Sequence, residues 1–162
     1  MVAPNSTVAM FYHLSRAGLD DTVTMIVSRA LGQGWRVMLR GTDAGQLQHL
    51  DDRLWLGAED SFLAHGREGG PHDADQPVLL GQGPITNAAR GLVLVAGAEV
   101  ARDEVDGQER VWLLFDGADA AAVQSAREQW TQLTGWGLAA QYWSDEGGAW
   151  VKKVEKVACV TS

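Results

Sequence analysis

Three groups of residues have types and spacings suited to chemistry. His65 and His72 lie among Asp60, Asp73 and Asp75, the side-chain types that hold a divalent metal. The stretch between them is glycine-rich and aperiodic, whereas a metal needs ligands held in matched geometry, so both histidines are expected to be solvated loop residues. Ser61 precedes His65 by one helical turn of sequence. No G-x-S-x-G elbow surrounds it, and triad partners meet in space rather than along the chain. Ser61 is therefore expected to satisfy local backbone. The carboxylate pairs Asp51–Asp52, Glu59–Asp60 and Asp145–Glu146 have the types of a general acid and base. That role needs a pKa raised by burial, and the pairs read as exposed acids.

A fourth candidate is the turn HLSRAGLDD, residues 13–21, between a predicted strand and a predicted helix. A phosphate site there would carry G-x-G-x-x-G or G-K-[ST] so that backbone N–H groups cradle the anion. Neither is present, and GQG (32–34) and GQGP (81–84) do not stand between a strand and a helix in the required way. No cofactor and no metal are expected. The alternative, a nucleotide-binding or small-molecule enzyme, would place its ligand at the carboxyl ends of the strands, near His13, Ser15, Arg40 and Thr42.

The elements that position these residues follow from periodicity. VAMFYHL (8–14) is a compact apolar run and predicts a strand. Leu19, Val23, Ile26, Val27, Ala30 and Leu31 recur at helical spacing behind the acids Asp20 and Asp21, and GQG ends the helix. WRVMLR (35–40) predicts a second strand. Thr42 or Asp43 caps a second helix with Leu47, Leu50 and Leu54 on one face. Residues 57–76 predict a long loop. PVLLG (77–81), LVLVAG (92–97) and VWLLF (111–115) predict strands, with VDGQER suited to a hairpin before the last. A helix follows from Ala118 to Gly135–Gly137, with Val123, Ala126, Trp130 and Leu133 as its stripe. LAAQYW predicts an edge strand, DEGGAWVKK a turn and short strand, and the tail after about Lys156 is expected to fray. Strand–helix alternation of this kind specifies an α/β fold with a mostly parallel sheet and helices on both faces, with antiparallel edge strands near the C-terminus.

Composition bounds what such a fold does. The 162 residues suit a single domain, with an ordered core over about 8–153. Net charge is −8, and all three lysines (152, 153 and 156) lie at the C-terminal end, so the chain as a whole repels nucleic-acid phosphates. The single cysteine, Cys159, makes no internal disulfide. MVAPNSTVAMFYHL lacks the basic start and apolar run of a signal peptide, and GLVLVAGAEV is too short to span a bilayer. A soluble cytoplasmic protein with no membrane association is expected.

The order of short segments resembles the chi subunit of bacterial DNA polymerase III, an accessory part of the clamp loader. The carrying segments are FYHL (11–14), GWRVMLR (34–40), LDDRLW (50–55), SFLAHG (61–66), QPVLL (76–80), AREQW (126–130), GLAAQYW (137–143) and DEGGAWVKK (145–153). The resemblance implies a Rossmann-like fold without cofactor and a non-enzymatic adaptor that meets DNA only through its partners. One face of a chi-like protein holds the psi subunit, and the region around Leu54, Trp55 and Phe62 would contribute to it. Large aromatics are common interface anchors, although Leu54 also suits the packing of its helix on the sheet. Another face binds the acidic C-terminal tail of the single-stranded-DNA-binding protein (SSB), which ends in Pro-Phe with a free carboxylate. Arg127 and Trp130 match a basic and an aromatic position of that pocket. Thr131, Thr134 and Val123 stand where bases occur in the family, and Lys152 and Lys153 are candidates to fold back and replace part of the lost charge. A further alternative is a chi-like protein that serves a helicase through the same aromatic patch.

Overall fold

The structure, a computed structural model, describes residues 7–16, 18–55, 65–69 and 73–156, with backbone alone at 55 and 65–67. Eight strands form one sheet in the order β3-β4-β2-β5-β6-β1-β7-β8. They are β1 (Val8–Leu14), β2 (Val37–Arg40), β3 (His65–Arg67), β4 (Val78–Gly81), β5 (Gly91–Leu94), β6 (Arg110–Asp116), β7 (Ala139–Ser144) and β8 (Val151–Lys156). Among the described residues β1 to β7 pair in parallel, and only the β7–β8 pair is antiparallel. The helices are α1 (Leu19–Gly32), α2 (Ala44–Trp55), the short α3 (Arg102–Val105) and α4 (Ala120–Gly135).

The apolar runs in the sequence are the central strands, because a parallel sheet covered on both faces buries every side chain of a strand. β2, β4 and β5 are buried at all four positions. On one face, α1 and α2 set Val23, Ile26, Val27, Leu47, Leu50 and Leu54 against Tyr12, Leu39, Leu80 and Val93. On the other, α3 and α4 set Val105, Ala126 and Leu133 against Phe11, Met38, Leu92, Leu113 and Ala140. Alternate residues of β1 therefore serve opposite cores, as the two-residue period of a strand requires.

Helix ends follow elementary capping chemistry. Asp43 Oδ1 accepts from Gly45 N at 2.8 Å and Gln46 N at 3.3 Å, capping α2, while the Thr42 hydroxyl donates to Ala96 O. Asp119 caps α4 through Ala121 and Ala122 N. α1 and α4 are each followed by a left-handed glycine, Gly34 (φ 84) and Gly137 (φ 91), the conformation that closes a helix at lowest steric cost.

The structure corrects four expectations. The long loop contains an edge strand, β3, and a 3₁₀ turn at Asp73–Asp75; three residues without alternation leave no periodic signal. VDGQER makes no hairpin, because β5 and β6 run parallel and the link between them holds α3. β7 is not an edge strand: β1 flanks it on one side and β8 on the other. Asp145 is not an exposed acid but is 2% exposed. The tail beyond Lys156 lies outside the described residues.

Candidate docking site

The strand ends were the place for a ligand, and the chain fills them with its own groups. Ser15 N and Arg16 N, in the turn between β1 and α1, donate to the two carboxylate oxygens of Asp145 at 2.7 and 3.1 Å. Those N–H groups are the ones a phosphate would take in a nucleotide-binding βα turn. An internal carboxylate, carried in by the β7–β8 turn, occupies them instead. Arg40 is spent as well. Its guanidinium holds Glu104 through two bonds of 2.9 and 2.6 Å and also donates to Gly83 O and Glu99 O. The pair clasps the end of β2 to α3 and keeps the Glu104 carboxyl below its ordinary range, chiefly through the Arg40 hydrogen bond. His13 Nδ1 and the Ser15 hydroxyl lie 3.1 Å apart, and Thr42 is bonded to backbone.

Clefts remain at this end of the sheet among the described residues, and two of them are informative. One, about 810 Å³, is lined by Arg40 with Glu99, Asp103 and Glu104. The other, about 480 Å³, is lined by Leu14, Leu113, Phe115 and Gln129, with Asp116 and Asp119 at its wall. Carboxylates dominate the charge of both, the opposite of what an anionic nucleotide requires. Among the described residues no group of three or more metal-donating side chains comes together, and no helix is long and apolar enough to cross a membrane. The His65 side chain, Ser61, Glu59, Asp60 and His72 lie outside the described residues.

The face covered by α4 is different. Trp130 meets Phe11 edge-on with ring centroids 5.2 Å apart, and Tyr142 at 6.4 Å. Tyr142 continues to Phe115 at 5.9 Å and His13 at 6.1 Å. These rings come from α4 and from three adjacent strands, β6, β1 and β7. Trp130 and Tyr142 are half-buried and Arg127, one turn before Thr131, is exposed. Burial pushes the Tyr142 phenol above its usual range, the Arg127 charge pulls it back, and Glu146 pushes it up again. Arg127 therefore stands within electrostatic reach of an aromatic wall whose edge faces water. An apolar wall beside an exposed guanidinium suits a peptide with both an aromatic group and negative charge.

The model of the family described as DNA polymerase III chi subunit, HolC, matches residues 7–141. The chain belongs to the DNA polymerase III chi family. No match was found among curated proteins. The family is one of non-catalytic accessory subunits, in accord with strand ends filled by Asp145 and by the Arg40–Glu104 clasp. Chi-family membership also ties the chain to the polymerase III holoenzyme.

The residues singled out from the sequence fall in different places on this chi-family fold. Leu54 is 4% exposed, inside the α1–α2 core, so it packs its helix on the sheet. Trp55 closes α2, and its side chain, like Phe62, lies outside the described residues. Arg127 and Trp130 are brought together with Tyr142, which the sequence reading did not include. Thr131 is exposed and Thr134 is buried; both hydroxyls donate to backbone of their own helix, Thr131 to Arg127 O and Thr134 to Trp130 O. Lys152 pairs across from Trp143, which packs on the α1–α2 core, and Lys152 Nζ lies 3.2 Å from Glu155. It faces away from Arg127. The signal for Tyr142 was available as alternation within AAQYWS, where Ala140 and Tyr142 share one face and Gln141 and Trp143 the other.

Proposed function

We propose that this chi-family protein is a non-enzymatic adaptor that links the clamp loader to the acidic C-terminal tail of the single-stranded-DNA-binding protein. The observation that carries the proposal is Arg127 set beside the Trp130–Tyr142 wall. A tail ending in Pro-Phe offers a ring for the wall and a carboxylate for the guanidinium. Thr131 and Thr134 add no charge, so the contact draws on fewer cations than a fully basic helix would give it. Each exposed charge pair contributes about 0.2–1 kcal/mol, which makes the affinity modest and sensitive to salt. The end of α2, with Trp55 and the following segment to Phe62, is the proposed contact for a psi-like partner subunit.

The test is titration of a fluorescent peptide carrying the host SSB tail at low and moderate salt. The proposal expects saturable binding that salt weakens, and loss of about tenfold in Arg127→Ala, at the lower end of the range for a hydrogen-bonded charge. A peptide without its terminal Phe is expected to bind as poorly. Absence of binding at high micromolar protein, or binding indifferent to both changes, overturns it.

A further inference from the structure

The C-terminal strand β8 carries every lysine of a chain with net charge −8, and all six of its residues are exposed. Lysines on an edge strand commonly serve only to deter edge pairing. Their faces are unequal here, and the pairing with β7 decides which is which. Cross-strand partners point to the same side of a sheet. Tyr142 pairs with Val154, and Ala140 with Lys156. Tyr142 touches Trp130 of α4 and Ala140 lies in the α4 core, so Val154 and Lys156 share the α4 face. Glu155 pairs with Gln141 and bonds to it, on the other face. Strict alternation would put Lys152 on the face of Val154 and Lys156. The register shift between Tyr142 and Trp143 turns it to the opposite side.

The groove beside α4 thus has a second wall. Val154, 51% exposed, is one of the two exposed large hydrophobics among the described residues, and it stands directly across from Tyr142. Lys156 lies two strand positions further toward the start of β7. That displacement is roughly 6.6 Å at the rise of a strand. From Arg127 to Thr131 along α4 is roughly 6 Å at the rise of a helix. α4 follows β6 and leads into β7, which runs parallel to β1 and thus to β6, so the helix runs back along the strands. Lys156 is therefore displaced from Tyr142 toward the C-terminal end of α4, where Thr131 and Thr134 are neutral. Glu146, the acid that acts on Tyr142 from the β7–β8 turn, lies at the opposite end of β7.

We infer that β8 completes the acidic-peptide groove: Val154 extends its apolar floor beside Tyr142, and Lys156 supplies a second cation toward the neutral C-terminal end of α4. The occupant is an extended acidic peptide with an aromatic end. Its ring lies on Trp130, Tyr142 and Val154, and its acids point toward Arg127 and Lys156, away from Glu146. The inference rests on the acidic-tail reading of α4 and adds the residues and direction by which that tail is held.

The same SSB-tail peptide, titrated against the full chain, tests it with four variants: Lys156→Glu, Val154→Asp, Lys152→Glu and Arg127→Ala. Lys156→Glu and Lys152→Glu make the same charge change on the same exposed strand but on opposite faces. The expected result is weakening of about fivefold or more for Lys156→Glu and Val154→Asp, a shallower salt dependence for Lys156→Glu, and less than about twofold change for Lys152→Glu. Thermal melts equal to wild type exclude a folding effect. Loss in Arg127→Ala with Lys156→Glu and Val154→Asp unchanged leaves the adaptor reading standing and overturns this inference. Equal loss for both lysine variants also overturns it, since the charge then acts without regard to face. No binding by the wild-type chain removes both.

Discussion

At Arg40 and Asp145 the chain spends charged groups on architecture. The Arg40 side chain is 9% exposed and that of Glu104 21%, so neither ion is free to solvate if its partner is removed. Glu104→Gln is expected to lower stability by about 2 kcal/mol, below the 3–5 kcal/mol of a fully buried broken pair, measured by urea denaturation at neutral pH. The pair also sets a pH limit. The folded Glu104 pKa lies below its ordinary value of 4.5, so its contribution is complete above that value and is lost as pH falls through the lower folded one. The acid limb of the stability curve is expected to be shallower in Glu104→Gln. Tyr12 and Tyr142 act at the other end. Burial raises both above 10.0, so their contribution is present below pH 10 and lost as pH climbs toward the folded values. Replacing both by Phe flattens the alkaline limb. Asp145→Ala strips the acceptors from two N–H groups and is expected to cost about 2–3 kcal/mol, read in the same denaturation experiment.

Among the elements, α4 is the one on which both the structure and the proposed docking depend. Its buried side fastens Ala126 and Leu133 to the sheet, and its half-buried margin offers Trp130. Asp119→Ala removes the cap from Ala121 and Ala122 and is expected to destabilise by about 1 kcal/mol, with little change in peptide affinity because Arg127 lies two turns away. β5, buried along its whole length, is unforgiving even at its glycine. A Cβ on Gly91 would come 2.7 Å from the Trp112 ring, and Trp112 is itself wedged against Trp35. Gly91→Ala is expected to cost about 1–3 kcal/mol through overpacking, visible as a lower thermal midpoint. Both variants separate the stability of an element from the recognition carried on its surface.

At the scale of the whole molecule, a Rossmann-like sheet has been turned away from its usual ligand. At the carboxyl ends of the strands, where such folds commonly bind, Asp145 takes the N–H groups of the β1–α1 turn and the remaining clefts are lined with further acids. The proposed contact for the acidic tail is instead the flank, where α4, β7 and β8 meet. If that flank is the working surface, inorganic phosphate or a nucleotide at millimolar concentration leaves the thermal midpoint unchanged. A saturating acidic tail peptide raises it by an amount fixed by its own affinity. The reverse pattern, in a thermal-shift assay, would return the strand ends to consideration.

The sequence by itself determined the layered fold, because strands buried on both faces must be continuously apolar and helices buried on one face must be periodic. β1, α1, β2, α2 and α4 were legible for that reason, and so was the family, through segments in fixed order. β3 was not legible, since three residues against a sheet edge need no pattern of their own. The burial of Asp145 was not legible either, because it depends on a turn meeting another 130 positions away. The pairing of Arg40 with Glu104 likewise depends on where α3 lands. The faces of the lysines were decided last of all, by one register shift between Tyr142 and Trp143. An extra residue in a strand reverses every side chain beyond it, and only the partner strand determines where that residue falls.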